Sequence, residues 1–206
     1  MKTAPITAAT ITFDDEGVPF APAFGDRYHA RAGAAQQAEH VFLRGNGLPA
    51  RWAGRKRFVI LETGFGLGNN FLATWAAWQR DAARCERLHY ISIEKHPPCK
   101  ADLARVHAAH TGHGAQPELA QALREAWPPL TGDLHRLCFE EGRVELLLAL
   151  GDVAHWLRRL QLQADALYLD GFAPERNPEM WSEHLFAALP RRKTCSACCA
   201  APARAW

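Results

Sequence analysis

What the 206-residue sequence lacks limits its function first. Its opening, MKTAPITAATITF, has one lysine and no continuous apolar segment of signal-peptide length. No run anywhere approaches the roughly 20 apolar residues of a membrane-spanning helix, so a cytoplasmic chain with no membrane partner is expected. The charge balance is also slight: a formal +2 and a pI near 8.3 say little about partners. Cysteine supplies no disulfide framework. Cys85, Cys99 and Cys138 are scattered, as suits reduced thiols, while Cys195, Cys198 and Cys199 crowd near the end as a C-x-x-C pair with no second pair at zinc spacing. His107, His110 and His113 make no metal set either, because Thr111 and Gly112 interrupt and no carboxylate or cysteine stands nearby. No metal is expected.

What is present centres on FVILETGFGLGNNF, Phe58 to Phe71. The bulky apolar run Phe58 to Leu61 predicts a buried strand, and Phe71, Leu72, Trp75, Trp78 and Ala82 recur at helical spacing after it. Between them lie Glu62 and three glycines on alternate positions, Gly64, Gly66 and Gly68, which permit a sharp turn and close backbone approach to a ligand. A dinucleotide fingerprint would place its third glycine where Asn69 stands, so that reading fails. The E-x-G-x-G-x-G pattern is instead similar to the cofactor loop of Rossmann-like S-adenosylmethionine-dependent methyltransferases.

The remaining chain supplies acids at strand ends. Residues 1–57 read as an N-terminal β appendage: Ile11 to Phe13 and Val18 to Phe20 form a small hairpin, and a second apolar run, Val41 to Leu43, precedes the turn signal Gly45, Asn46, Gly47. Between Arg27 and Arg57 lie seven Arg or Lys residues against one acid, Glu39, a patch suited to phosphates or simply a solvated face. Leu88 to Ile93 predicts a second strand ending at Glu94, placed to accept hydrogen bonds from ribose hydroxyls beside the glycine loop. Leu134 to Phe139 and Val144 to Leu150 predict two strands, the second ending at Asp152, which serves as a helix cap, as an adenine or ribose contact, or both. Ala166 to Leu169 delivers Asp170 to the same edge. In DGFAPERNPEMW, Phe172 offers an aromatic plane and Asp170 a carboxylate for an amine, while Asn177 and Pro178 open a helix through Trp181, Leu185 and Leu189.

Four blocks in order, HVFLRGNGLPARW, LETGFGLGNNFL, HRLCFEEGRVELLLALGD and LDGFAPERNPEMW, resemble the methyltransferase domain of the bifunctional enzymes that make 5-methylaminomethyl-2-thiouridine at the tRNA wobble position. The resemblance runs from about Ile6 to Leu189. It implies an α/β, Rossmann-like fold with a mostly parallel sheet, S-adenosylmethionine as cofactor and tRNA as substrate, with N-methylation of 5-aminomethyl-2-thiouridine as the reaction. It also implies a flavin-dependent oxidase, fused or separate, that prepares the amine. Carried over by position, Glu62, Gly64, Phe65, Gly66, Gly68, Glu94 and Asp152 match cofactor residues, and Asp170 matches the acid that holds the substrate amine. Asn70 fits the family loop as well as a helix start, while Tyr28 and Asn46, with Phe172, are expected to line the substrate pocket. The same cofactor half would also suit an aminopropyltransferase, an N-methyltransferase for another amine, or a non-catalytic fragment. Residues 58–189 thus read as an incomplete methyltransferase domain. Residues 190–206 have no apolar period and read as an atypical tail, left by truncation or a frameshift where the last strands are expected.

Overall fold

The structure, a computed structural model, describes residues 6–30, 33–109 and 116–189. Three short strands come first: β1 (Thr12–Phe13), β2 (Pro19–Ala21) and β3 (Asp26–Arg27) form an antiparallel sheet. The hairpin is therefore present and gains a third strand. Val41 to Leu43 is a different matter. Helix α1 (Ala34–Gln37) runs into a π-helical stretch, Ala38–Leu43, and a 3-10 turn, Arg44–Asn46. Ala34, Ala38 and Phe42, four residues apart, all bury their side chains, so helical spacing overrides the β preference of Val41 and Phe42.

A five-stranded sheet follows, built from β4 (Arg57–Thr63), β5 (Arg87–Glu94), β6 (Leu134–Phe139), β7 (Val144–Leu150) and β8 (Ala166–Leu169). Its spatial order is β6-β7-β5-β4-β8, with β6 antiparallel and the other neighbours parallel. Helices α2 (Asn69–Arg80), α3 (Lys100–Ala109), α4 (Pro117–Glu125), α5 (Val153–Leu157) and α6 (Glu183–Ala188) connect and cover the strands. No helix among the described residues is long and apolar enough to cross a membrane.

Because successive strand residues point to opposite faces, β4 feeds two cores. Phe58 and Ile60 pack with Phe71, Trp75, Trp78 and Leu123 under α2 and α4, whereas Val59 and Leu61 pack with Trp156, Leu157 and Leu185 under α5 and α6. Tyr90 and Tyr168 share the first face and Ile93 and Leu167 the second. This alternation also decides where the acids at the strand ends can point.

The segment after β8 departs from the single helix expected. Pro178–Trp181 is a 3-10 turn, and Asn177 makes no side-chain cap. The chain restarts at Ser182, whose hydroxyl accepts from the Leu185 amide and caps α6. The tail reading, with Cys195, Cys198 and Cys199, falls on residues 190–206 and lies outside the described residues, as do Arg31, His110 and His113.

Candidate active site

The carboxyl ends of four parallel strands are stitched into one edge by backbone hydrogen bonds. The Gly64 amide donates to the Ile93 carbonyl, Gly151 to Glu94 and Asp170 to Thr63, at 2.8, 2.8 and 3.1 Å. A cavity of about 740 Å³ opens along this edge. Gly64, Gly66, Glu94, Asp152, Asp170, Phe172 and Tyr28 all line it, so residues up to 144 apart by sequence number are brought together. Its size is that of a pocket for a drug-sized ligand or cofactor, at the place where open α/β sheets bind ligands.

Each acid has a defined setting. Glu94, at the end of β5, accepts from the Gly66 amide (2.7 Å) and the His96 amide (2.7 Å), and so ties the glycine loop to the next connection. Asp152 caps α5, its Oδ1 accepting from the Ala154 and His155 amides, while Oδ2 faces Lys95 at 3.5 Å. Capping and cavity lining therefore coexist. Asp170, half-buried, accepts from Asn70 Nδ2 (2.7 Å) and the Gly171 amide (2.8 Å). Burial, with a lesser push from Glu94, raises its carboxyl to about 6, although both hydrogen bonds oppose the rise.

The glycines differ in purpose. Gly64 has φ +88°, and a Cβ there would lie 2.7 Å from the Asp170 carbonyl oxygen, so this glycine lets two loops touch. A Cβ on Gly66 would meet only Tyr28, at 3.5 Å, and would occupy space where a ligand fits. Gly68, in the left-handed region, forms the N-cap position of α2 and does not line the cavity.

Three further residues expected at the site stand away from the cavity. Glu62 is fully buried and does not line the cavity, because its place in the strand alternation turns it beneath α2, where it accepts from Asn70 Nδ2 (2.9 Å) and Ser92 Oγ (2.7 Å). The Phe65 ring is core, packed on Phe71 and Trp127. Asn46 is buried, its amide donating to the Phe42 and Leu167 carbonyls, so it pins the N-terminal helices to β8 and does not line the cavity.

The basic segment is likewise dispersed. Arg51 donates to the Asp165 and Asn46 carbonyls, Arg55 pairs with Asp165, and Arg27 pairs with Asp14 and Glu16. Lys56 and Arg57 sit at the opposite end of β4 from the glycine loop. His107 lies at the end of α3 against the Leu67 carbonyl.

Sequence reasoning missed Phe24, whose ring stacks on Phe172 with centroids 4.5 Å apart, Tyr28 meeting Phe172 edge-on at 5.3 Å. Phe24 carried no local signal, since its partner lies across the chain. Lys95, His96 and Arg176 also line the cavity.

The donor set suits a nucleoside-bearing cofactor: carboxylates at the ends of β5 and β7 for hydroxyl or amino groups, and a glycine cradle for close backbone contact. The sheet order is that of the Rossmann-like methyltransferases. A sequence model of the family described as S-adenosyl-L-methionine-dependent methyltransferase matches residues 115–205, and over that stretch the chain is similar to it. That match runs through the tail.

Among curated proteins, the chain is 63% identical over 191 residues to the tRNA 5-methylaminomethyl-2-thiouridine biosynthesis bifunctional protein MnmC of Methylibium petroleiphilum, covering 93% of this chain and 29% of that protein. It is 54% identical to the protein of the same name from Paraburkholderia phytofirmans, covering 92% of this chain and 29% of the relative. The chain thus spans about 29% of the length of these relatives. The crystal structure of MNMC2 from Aquifex aeolicus superposes with a TM-score of 0.64 at 24% identity, covering 88% of this chain and 55% of the other, a likeness of fold.

Proposed function

We propose that this chain transfers a methyl group from S-adenosylmethionine to the amine of a 5-aminomethyl-2-thiouridine at the wobble position of tRNA. The observation that carries the reading is the meeting of Asp170 with the glycine loop in one cavity, beside the aromatic faces of Phe172 and Tyr28. The cofactor supplies an electrophilic methyl group on a sulfonium. Backbone at Gly64 and Gly66 allows its close approach, and Glu94 and Asp152 accept hydrogen bonds from its ribose and adenine. Phe172, Tyr28 and Phe24 flank the ring that carries the amine.

Asp170 orients the amine and takes its proton. An ordinary carboxylate is a poor base for an ammonium group, and burial improves this one by lifting it toward neutrality while leaving it ionised at pH 7. Positioning supplies most of the remaining rate. Residues 1–57 contribute to the substrate wall and residues 58–189 form the cofactor half. The substrate places the chain in the cytoplasm, and a flavin-dependent oxidase, separate or fused, supplies the amine.

The test is transfer of labelled methyl to tRNA lacking the modification. Asp170→Ala should lower turnover by about 10³-fold, within the range for a general base, while calorimetry finds cofactor affinity nearly intact. Near-normal turnover in that variant refutes the role of Asp170. Methylation of small amines without tRNA refutes the substrate.

A further inference from the structure

Beneath the cavity, one amide nitrogen serves two carboxyl groups. Asn70 Nδ2 donates to Glu62 at 2.9 Å and to Asp170 at 2.7 Å. Glu62 is fully buried, and its other oxygen accepts from Ser92. Among the described residues no cation ion-pairs with either acid. The Tyr90 hydroxyl, buried nearby, has no hydrogen-bond partner of regular geometry. Two carboxylates bracketing one nitrogen repel, so charge on one favours a proton on the other. Asp170 opens to the cavity, whereas Glu62 does not.

We propose that Glu62 is a neutral, protonated acid that acts as a positioning residue, fixing the Asn70 amide so that Asp170 alone carries charge toward the substrate. This rests on the reading of Asp170 given above. The groups that face Glu62 are Asn70 from α2, Ser92 and Tyr90 from β5, and Tyr168 and Asp170 at β8. Around Asp170 stand Glu62, Glu94, Tyr28 and His29, with Lys95, His96 and Arg176 along the same cavity. Burial first, then Asp170, pushes Glu62 up to about 8, against the hydrogen bonds from Ser92 and Asn70 and the nearby Tyr90 hydroxyl. Above that pH a second negative charge appears beside Asp170 and pulls the shared amide away from it.

The experiment pairs infrared spectroscopy with the pH profile of methyl transfer. At pH 7 the chain should show the carbonyl stretch of a protonated carboxyl, and Glu62→Gln should abolish it. Absence of that band, or its survival in the variant, overturns the proposal without reference to activity. In the pH profile, Glu62→Ala should lose about tenfold in turnover, and Glu62→Gln should restore most of it and remove the alkaline limb. Asn70→Ala should move the acid limb of Asp170 upward by about half a unit. An unchanged alkaline limb in Glu62→Gln also overturns the proposal. If tRNA proves not to be the substrate, the infrared result still decides the protonation of Glu62, so the two failures are distinguishable.

Discussion

Replacing Gly64 or Gly66 with alanine separates the two uses of the glycine loop. Both sit at positive φ, +88° and +54°, and an L side chain in such a conformation costs about 1–2 kcal/mol. At Gly64 a second cost follows, because the new Cβ falls 2.7 Å from the Asp170 carbonyl oxygen and 3.2 Å from its carbon. Backbone cannot swing aside as a side chain does. The β8 loop must withdraw, stretching the Asp170 amide bond to Thr63 (3.1 Å) and the Thr63 hydroxyl bond to Asp170 (3.3 Å), each worth about 1 kcal/mol. The total is about 3–4 kcal/mol, or roughly 10 °C in Tm for a chain of this length. Gly66→Ala meets only Tyr28 at an ordinary contact distance, so its stability loss stops at about 1–2 kcal/mol. Its methyl group enters the cavity, and cofactor affinity should fall by about tenfold or more, equivalent to about 1.4 kcal/mol. Thermal unfolding and calorimetric titration of both variants check this. Equal Tm losses, or undiminished cofactor binding by Gly66→Ala, would refute the division of roles.

Other expectations follow from the same geometry. Glu94→Gln should weaken cofactor binding about tenfold and cost about 1–2 kcal/mol of stability, since the amide presents a donor where the Gly66 and His96 amides need an acceptor; unchanged affinity by titration counts against the loop-anchoring role. Arg51→Met should cost about 2–3 kcal/mol in urea unfolding and leave the salt dependence of tRNA binding unaltered, because its guanidinium is spent on the Asp165 and Asn46 carbonyls. A drop of about one in that slope would instead make Arg51 a phosphate contact. The folded chain holds protons on Glu62 and Asp170 that the unfolded chain releases, so their contribution is full below pH 4 and is lost as pH rises to about 6 for Asp170 and about 8 for Glu62. Unfolding free energy should therefore decline between pH 6 and 8, by on the order of 2 kcal/mol, and Glu62→Gln should flatten the decline. A wild-type curve that rises over that interval contradicts this assignment.

The parallel strands were legible because each is a short apolar run closed by an acid or glycine, and the acids at their ends fell on one edge as connection rules require. Glu94, Asp152 and Asp170 needed nothing more. Glu62 was harder, since the strand's alternation turns it under α2 while sequence proximity to the loop suggests a ligand contact. The Val41 to Leu43 run misled for a related reason: β-branched and aromatic preference is local, but Ala34, Ala38 and Phe42 answer to the core above them. Phe24 and Asn46 have partners more than a hundred residues away, Phe172 and Leu167, and no local pattern announces such a contact.

That distance bears on how the enzyme comes into being. The Ala173 amide donates to Asp26 across 147 positions, and Phe24 and Tyr28 complete the wall only when Phe172 arrives. At the roughly 5–20 residues per second of protein synthesis, the N-terminal aromatics wait about 7–30 s on the ribosome for their partners. During that interval the glycine loop already exists but its far wall does not. Long-range closure of this kind is slow and comes late, so competence for ligand waits on the arrival of Phe172.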